Sequence, residues 1–394
     1  MKVFLIAGEP SGDRLGAAAM AGLRALGPGV EFDGIGGEAM AAEGLRSRFP
    51  MEDLSVMGLV EVARRLPLLR RRLREATAAV LRARPDVLLT IDSPDFGLRV
   101  ARAARDAGSP ALRVHYVAPT IWAWREGRAR KLRGVADLLL ALLPFEPPLW
   151  DAHGIACAFV GHPVAAEPQA TEAEARAFRG AFGIGGAPMV LALPGSRRGE
   201  VERLQGRFGE ALGIAAARRP GLRVVLPAAP PVAALVKEAA ARWPVKPVVL
   251  LPRADPLGQA TKRAAFRAAD AALAASGTVS LELAAAGTPM VIGYDMAWLT
   301  WQVARRMVRL DTATLVNIVS GTRAVPEFLG PACRPGPLAD ALLNVLDAPD
   351  AQRDAMRVTM ERLGQGGEPP GLRAARAILD AAGARLARAP GATS

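Results

Sequence analysis

The chain of 394 residues has two cysteines, Cys157 and Cys333. Neither has a partner at CxxC or metal-ligand spacing, which argues against a disulfide scaffold or a cysteine-based zinc site. Long apolar runs are also missing: none reaches the roughly 18 residues of a membrane-spanning helix. The N-terminus runs straight into the strand-like "KVFLIAGE" without a cleavage-site pattern. These absences predict a cytoplasmic protein that is not integral to a membrane. Lysine is scarce, with five among the fifty basic residues, and the excess of Ala, Arg, Gly and Pro reads as composition bias. The net charge of +12 is therefore weak evidence for a nucleic-acid partner, and none is expected. No GxGxxG fingerprint and no GK[ST] P-loop occurs, which disfavours a nicotinamide or ATP site.

What is present is alternation. Short apolar strand candidates ("KVFLIAG", "DVLLTID", "LRVHYVAP", "DLLLALLP") are separated by longer helical patterns, and the second half repeats the scheme with "MVLALPG", "LRVVLPAA", "AALAAS" and "TPMVIGYD". Alternation of this kind predicts an α/β fold with two Rossmann-like, doubly wound parallel-sheet domains. The Pro-bearing, polar "GHPVAAEPQATEAEARA" marks the boundary, giving domains over 1–164 and 165–365. A helix over about 370–390 follows and is assigned back to the first domain. In such sheets ligands sit beyond the carboxyl ends of the strands, so functional residues belong just after strands, in the cleft where two domains face each other.

Several loops fit that position. "AGEPSGDRLG" places Gly8, Glu9, Ser11, Gly12 and Asp13 after the first strand, with Ser11 or Asp13 as a candidate helix cap. "LLTIDSPDF" ends a strand on Asp92, a candidate general base, with Asp95 in a capping or supporting role. "HYVAPTIWAWREGRARKL" sets His115 and then Trp122 and Trp124 before a basic helix; these rings suit sugar stacking and also ordinary packing. "LPGSRRGEVERL" is a strand-to-helix corner in which Gly195, Ser196 and Arg197 suit an anion, and Arg198 is expected to face solvent. "AASGTVSLE" opens a helix at Ser276, Gly277 and Thr278, and Glu282 lies a turn on, where a carboxylate can accept from ribose hydroxyls.

The segment "MGLVEVARRLPLLRRRLR" is the most amphipathic in the chain. Val62, Leu66, Leu69 and Leu73 fall on one helical stripe while arginines including Arg70 and Arg71 crowd the rest. It suits either a solvated helix packed on the sheet or a segment lying in a lipid interface.

Together, "AGEPSGD", "IDSPDF", "YVAPTIWAWREGRARK", "LPFE", "GHPV", "LPGSRRGEVE", "ASGTVSLE" and "TPMVIGY", in this order over roughly residues 3 to 330, resemble the lipid A disaccharide synthase family of GT-B inverting glycosyltransferases. "TLVNIVSG" extends the likeness, with Val316 where the family usually has proline. The resemblance implies transfer of 2,3-diacylglucosamine from UDP to the 6-hydroxyl of 2,3-diacylglucosamine 1-phosphate (lipid X). The product is a β-1,6-linked disaccharide 1-phosphate, formed without metal or cofactor. It implies catalytic roles for Asp92, Glu9 and Arg197. It implies a UDP-sugar site of Arg197, Glu200, Ser276, Gly277, Thr278, Glu282 and Asn317, and an acceptor side with Gly8, Ser11, Gly12, Asp95, Trp122 and Trp124. Membrane contact falls to Val62, Leu66, Leu69, Leu73, Arg70 and Arg71, on the anionic inner face of the inner membrane. A homodimer with exchanged C-terminal segments is also compatible with it. The competing readings are a UDP-N-acetylglucosamine 2-epimerase on the same fold and a non-catalytic, basic, membrane-associated binding protein.

Overall fold

The computed structural model describes residues 1–54, 59–122, 127–252, 256–296, 301–302 and 311–387, with the backbone alone for residues 59–64, 128, 256 and 386. Trp124 lies outside the described residues, as does the side chain of Val62. Two compact units form: Met1–Ala166 together with Gly366–Ser394, and Glu167–Gln365.

The first unit is built on six parallel strands: β1 (Lys2–Ala7), β2 (Glu31–Ile35), β3 (Val87–Ile91), β4 (Leu112–Tyr116), β5 (Leu138–Ala141) and β6 (Ala156–Phe159), in the order β2-β1-β3-β4-β5-β6. Between them run α1 (Pro10–Leu26), α2 (Glu38–Ala42), α3 (Leu59–Ala83), α4 (Pro94–Asp106), α5 (Gly127–Leu132) and α6 (Glu146–Asp151). Every residue of β3 is buried, as expected where helices cover both sheet faces. One face packs Val3, Leu5 and Leu89 against Leu15 and Leu23 of α1 and Ile378 of the helix Pro370–Ala387. The other packs Phe4, Ile6 and Leu88 against Ala76 and Val80 of α3 and Val100 of α4.

The helix Pro370–Ala387 follows the whole second unit in the chain, yet its partner is α1. Small residues permit the close crossing: a Cβ on Gly22 would lie 2.5 Å from the Gly371 carbonyl oxygen, and one on Gly371 would lie 2.5 Å from that of Ala18.

Two expectations need correcting here. Asp13 does not cap α1; its buried carboxylate accepts from the amides of Gly37 (2.7 Å), Ala39 (2.8 Å) and Met40 (3.1 Å) and so holds the start of α2. Leu69 and Leu73 do not form an outward stripe: both are half-buried and pack against the α3/α4 core. The helical spacing from Leu69 through Leu73 continues to Ala76 and Val80, so this is the face α3 turns to the sheet. Leu66, on the preceding turn, is 36% exposed, and Arg70 and Arg71 are exposed.

The second unit repeats the plan with β7 (Met189–Leu193), β8 (Arg223–Pro227), β9 (Val248–Leu250), β10 (Ala271–Ala274), β11 (Met290–Tyr294) and β12 (Glu327–Leu329), all parallel, in the order β12-β11-β10-β7-β8-β9. Its helices include α7 (Glu172–Ala181), α8 (Arg198–Arg218), α9 (Ala233–Ala240), α10 (Pro256–Ala268) and α11 (Val279–Ala286). Successive strands step outward from β7 to β9, and the chain then returns to the other side of β7 for β10. The crevice where the order reverses, between β7 and β10, is where such sheets hold ligands. In the first unit the corresponding reversal lies between β1 and β3.

Candidate active site

At the first unit's reversal point, the chain leaves β1 through Gly8 and Glu9 and leaves β3 through Asp92 and Ser93. Ser11 Oγ donates to Asp92 Oδ2 (3.0 Å), and the Ser93 amide donates to Asp92 Oδ1 (2.9 Å). Ser93 Oγ donates to Glu9 Oε1 (3.3 Å), so one serine links the two carboxylates. Sequence reasoning missed Ser93, although it stands inside the quoted "IDSPDF". Asp92 and Ser93 carry φ of +51° and +37°, the left-handed region that non-glycine residues enter at a cost. The turn projects the Asp92 carboxylate beyond the sheet, while its amide still donates to the Tyr116 carbonyl of β4 (2.9 Å). Gly8 and Gly12 let the two loops meet: a Cβ on either would come within 3.0 Å of Ser93 Oγ or 3.2 Å of the Ile91 carbonyl oxygen, respectively. Asp95 stands apart, exposed in the first turn of α4, which has no side-chain cap at Ser93.

The second unit's reversal point holds a cavity of about 730 Å³. Gly195, Ser196, Arg197 and Glu200 line it from the β7 corner, and Ser276, Gly277, Thr278 and Glu282 from the β10 corner. Apolar walls come from Phe182, Leu193, Leu250 and Phe266. The Glu200 carboxylate accepts from the amides of Ser196 (3.2 Å) and Arg197 (3.3 Å), fixing the start of α8. Gly195, at φ +121°, makes this turn possible, because a Cβ there would lie 2.7 Å from the Glu200 Cβ. Glu200 thus spends its charge on the loop, while Arg197, 69% exposed on its side chain, keeps its guanidinium within 3.4 Å of Glu200 Oε1. Arg198 turns to solvent and pairs with Glu202 (2.8 Å).

On the β10 side, Gly277 at φ +146° leads into Thr278, the N-cap of α11, which has no side-chain cap. The first amides of a helix lack intrahelical acceptors and sit at its positive end, which suits a phosphate. Glu282 Oε2 accepts from Lys262 Nζ of α10 (2.5 Å). Lys262 was not anticipated; a lysine in a chain with so few, on the helix preceding β10, was the available signal. Asn317 is not part of this lining. It is 1% exposed, its Nδ2 donates to the Val325 carbonyl (2.9 Å), and its Oδ1 accepts from the Val325 amide (3.0 Å). Both ends of its amide are committed within its own segment.

Beyond Tyr116 the chain turns at Val117, whose φ of +75° is a strained value for a β-branched residue. Trp122 follows, half-buried, its ring edge-on to Phe145 at 5.2 Å. Its Nε1 donates to Glu146 Oε1 (3.2 Å), and the Leu143 amide donates to Glu146 Oε2 (3.1 Å). Burial drives the Glu146 carboxyl up to about 7, against the hydrogen bonds that favour its anion. His115 is fully buried beneath this turn with Nδ1 2.8 Å from Thr90 Oγ1, and burial lowers it to about 4. His162 accepts from the Val164 amide (3.2 Å) and is a local turn residue.

Two six-stranded parallel α/β units, one with an anion-friendly, glycine-bearing corner at its reversal point, are the architecture of the GT-B class. Among solved structures, the UDP-GlcNAc 2-epimerase from Neisseria meningitidis bound to UDP-GlcNAc matches with a TM-score of 0.62 at 14% identity, over 97% of this chain and 99% of that one. The Acinetobacter baumannii MurG structure matches with a TM-score of 0.56 at 15% identity, over 97% and 99%. These likenesses concern the fold. A family model for lipid-A-disaccharide synthetase matches residues 3–377, and the chain belongs to that family. The lipid-A-disaccharide synthase of Ruegeria pomeroyi is 61% identical over 96% of this chain and 95% of that protein, and that of Rhodospirillum centenum is 49% identical over 96% and 94%. The protein is a glycosyltransferase of lipid A biosynthesis, and the epimerase reading is left with the shared fold alone.

Proposed function

We propose that the enzyme joins UDP-2,3-diacylglucosamine to lipid X, giving the β-1,6-linked disaccharide 1-phosphate and UDP. The observation that carries this reading is the second unit's cavity, where two strand-to-helix corners bring Arg197, the first turn of α11 and Glu282 to one space. In this reading the diphosphate takes the α11 amides and the Arg197 guanidinium, and the ribose hydroxyls donate to Glu282, whose position Lys262 holds. Asp92 accepts the proton of the lipid X 6-hydroxyl. The freed oxygen attacks the anomeric carbon, the bond from that carbon to the UDP oxygen breaks, and the configuration inverts in a single displacement. Charge leaving with UDP is stabilised by the helix start and Arg197. Ser11 and Ser93 orient Asp92, and Ser93 couples it to Glu9.

Both proposed substrates carry acyl chains, so the protein has to reach a membrane surface. Among the described residues no helix is long and apolar enough to cross one. We assign peripheral contact with the anionic inner face of the inner membrane to the exposed part of α3: Leu66 with Arg70 and Arg71. Each basic residue near an anionic surface contributes about 1 kcal/mol.

The test is purified protein with UDP-2,3-diacylglucosamine, with and without lipid X. UDP release that requires lipid X, with a disaccharide product, is expected. Release or sugar isomerisation without acceptor would overturn the assignment in favour of an epimerase.

A further inference from the structure

The motif "LPFE" ends on a carboxyl group that the reaction does not use and the fold does not expose. Glu146 is 3% exposed. Its two oxygens are divided between Trp122 Nε1, from the segment leaving β4, and the Leu143 amide, from the turn leaving β5. Phe145, next to it in sequence, presses edge-on against the same indole. The segment so tied begins at the strained Val117 and leaves the sheet beside β3, whose end carries Asp92. A loop that departs through strain needs a fixed point farther along, or it relaxes. A buried carboxyl costs stability unless its hydrogen bonds hold it, and here burial keeps Glu146 near neutrality in its titration, at about 7.

We propose that Glu146 is a positioning residue for the acceptor: it pins the Trp122 indole, and through it the segment after β4, at the strand end where the acceptor sugar is presented to Asp92. The inference rests on the acceptor reading of the first unit given above. It adds a residue that touches neither substrate and acts through Trp122.

The test compares Glu146→Leu, Glu146→Gln and Trp122→Phe with the wild type in the full-length enzyme. Loss of a hydrogen bond to a carboxyl group should raise the KM for lipid X about tenfold in Glu146→Leu and in Trp122→Phe. The KM for the UDP-sugar should stay within about twofold. Glu146→Gln keeps one accepting oxygen, which can serve Trp122 Nε1, but turns its amide nitrogen toward the Leu143 N–H, so its lipid X KM should fall between those of wild type and Glu146→Leu. The Leu/Phe double variant should be no worse than the worse single one, because both remove one contact. A second readout needs no substrate. The emission of Trp122, taken as the difference between spectra with and without Trp122→Phe, should shift to the red in Glu146→Leu and by less in Glu146→Gln.

Equal rises in both KM values, or a folded Glu146→Leu enzyme with the wild-type KM for lipid X, would overturn the proposal. If Glu146→Leu does not fold, Trp122→Phe and Glu146→Gln carry the test alone. Normal wild-type turnover with an unchanged lipid X KM in Trp122→Phe would overturn the acceptor role by itself, whereas a wild type that does not turn over lipid X would overturn the substrate reading on which it rests.

Discussion

As the proposed base, Asp92 illustrates what a single residue needs for that role. Its carboxylate receives one donor on each oxygen, from Ser11 and from the Ser93 amide, which orients it while leaving lone pairs for a substrate hydroxyl. The left-handed backbone at Asp92 and Ser93 costs on the order of 1–3 kcal/mol per residue, offset by the buried strand behind it. Asp92→Asn keeps the shape and removes the basicity. Turnover should fall by about 10²–10⁴ while UDP affinity, read by calorimetry, stays within about twofold. Turnover near the wild-type value would remove Asp92 from the role of base. Arg197→Ala should act on the other substrate, lowering kcat/KM for the UDP-sugar by about 10²-fold. Donor kinetics equal to wild type would exclude Arg197 from the diphosphate.

At the scale of the element, the proposed membrane contact would give α3 two jobs on one stripe. Leu69, Leu73, Ala76 and Val80 face the sheet, while Leu66 lies one turn nearer the helix start and is exposed. Substitution should separate the jobs. Leu73→Ser removes a half-buried side chain and adds a hydroxyl to the core edge, so it should lower stability by about 1–3 kcal/mol in denaturant titration. Leu66→Ser should leave the denaturation midpoint in place and weaken binding to anionic vesicles. A stable Leu73→Ser protein with lost vesicle binding would reverse the assignment. The α1 crossing with Pro370–Ala387 is the opposite case: a contact made by Ala18, Gly22 and Gly371 because they are small, so that position along the chain counts for less than fit.

Across the whole molecule, buried titratable groups set opposing pH limits. Folding lowers His115 from 6.5 to about 4, so its contribution to stability is complete above pH 6.5 and lost as pH falls toward 4. Folding raises Glu146 from 4.5 to about 7, so its contribution is complete below pH 4.5 and lost as pH rises through 7. Each shift corresponds to about 3 kcal/mol. The melting temperature of Glu146→Gln, relative to wild type, should therefore climb between pH 5 and pH 8, while the acid limb set by His115 and His162 is common to both proteins. A difference that is flat with pH would mean that Glu146 is ionised in both states.

The alternation of apolar runs with helical patterns determined the two doubly wound units, because a parallel strand covered on both faces has to be almost wholly apolar, as Met189–Leu193 is and as Val87–Ile91 is apart from Thr90. The strand-to-helix corners were legible for a related reason: glycine, serine and charge gather where a buried strand ends. Tertiary structure decided the rest, since direction and partnership are properties of space. Helical spacing marks the stripe holding Leu66, Leu69 and Leu73, and only the packed sheet tells which part of it is covered. Asn317 has the chemistry of a sugar ligand, and the neighbouring Val325 backbone has taken both ends of its amide. Lys262 reaches Glu282 and Glu146 reaches Trp122 across 20 and 24 residues of chain, pairings that no local pattern encodes.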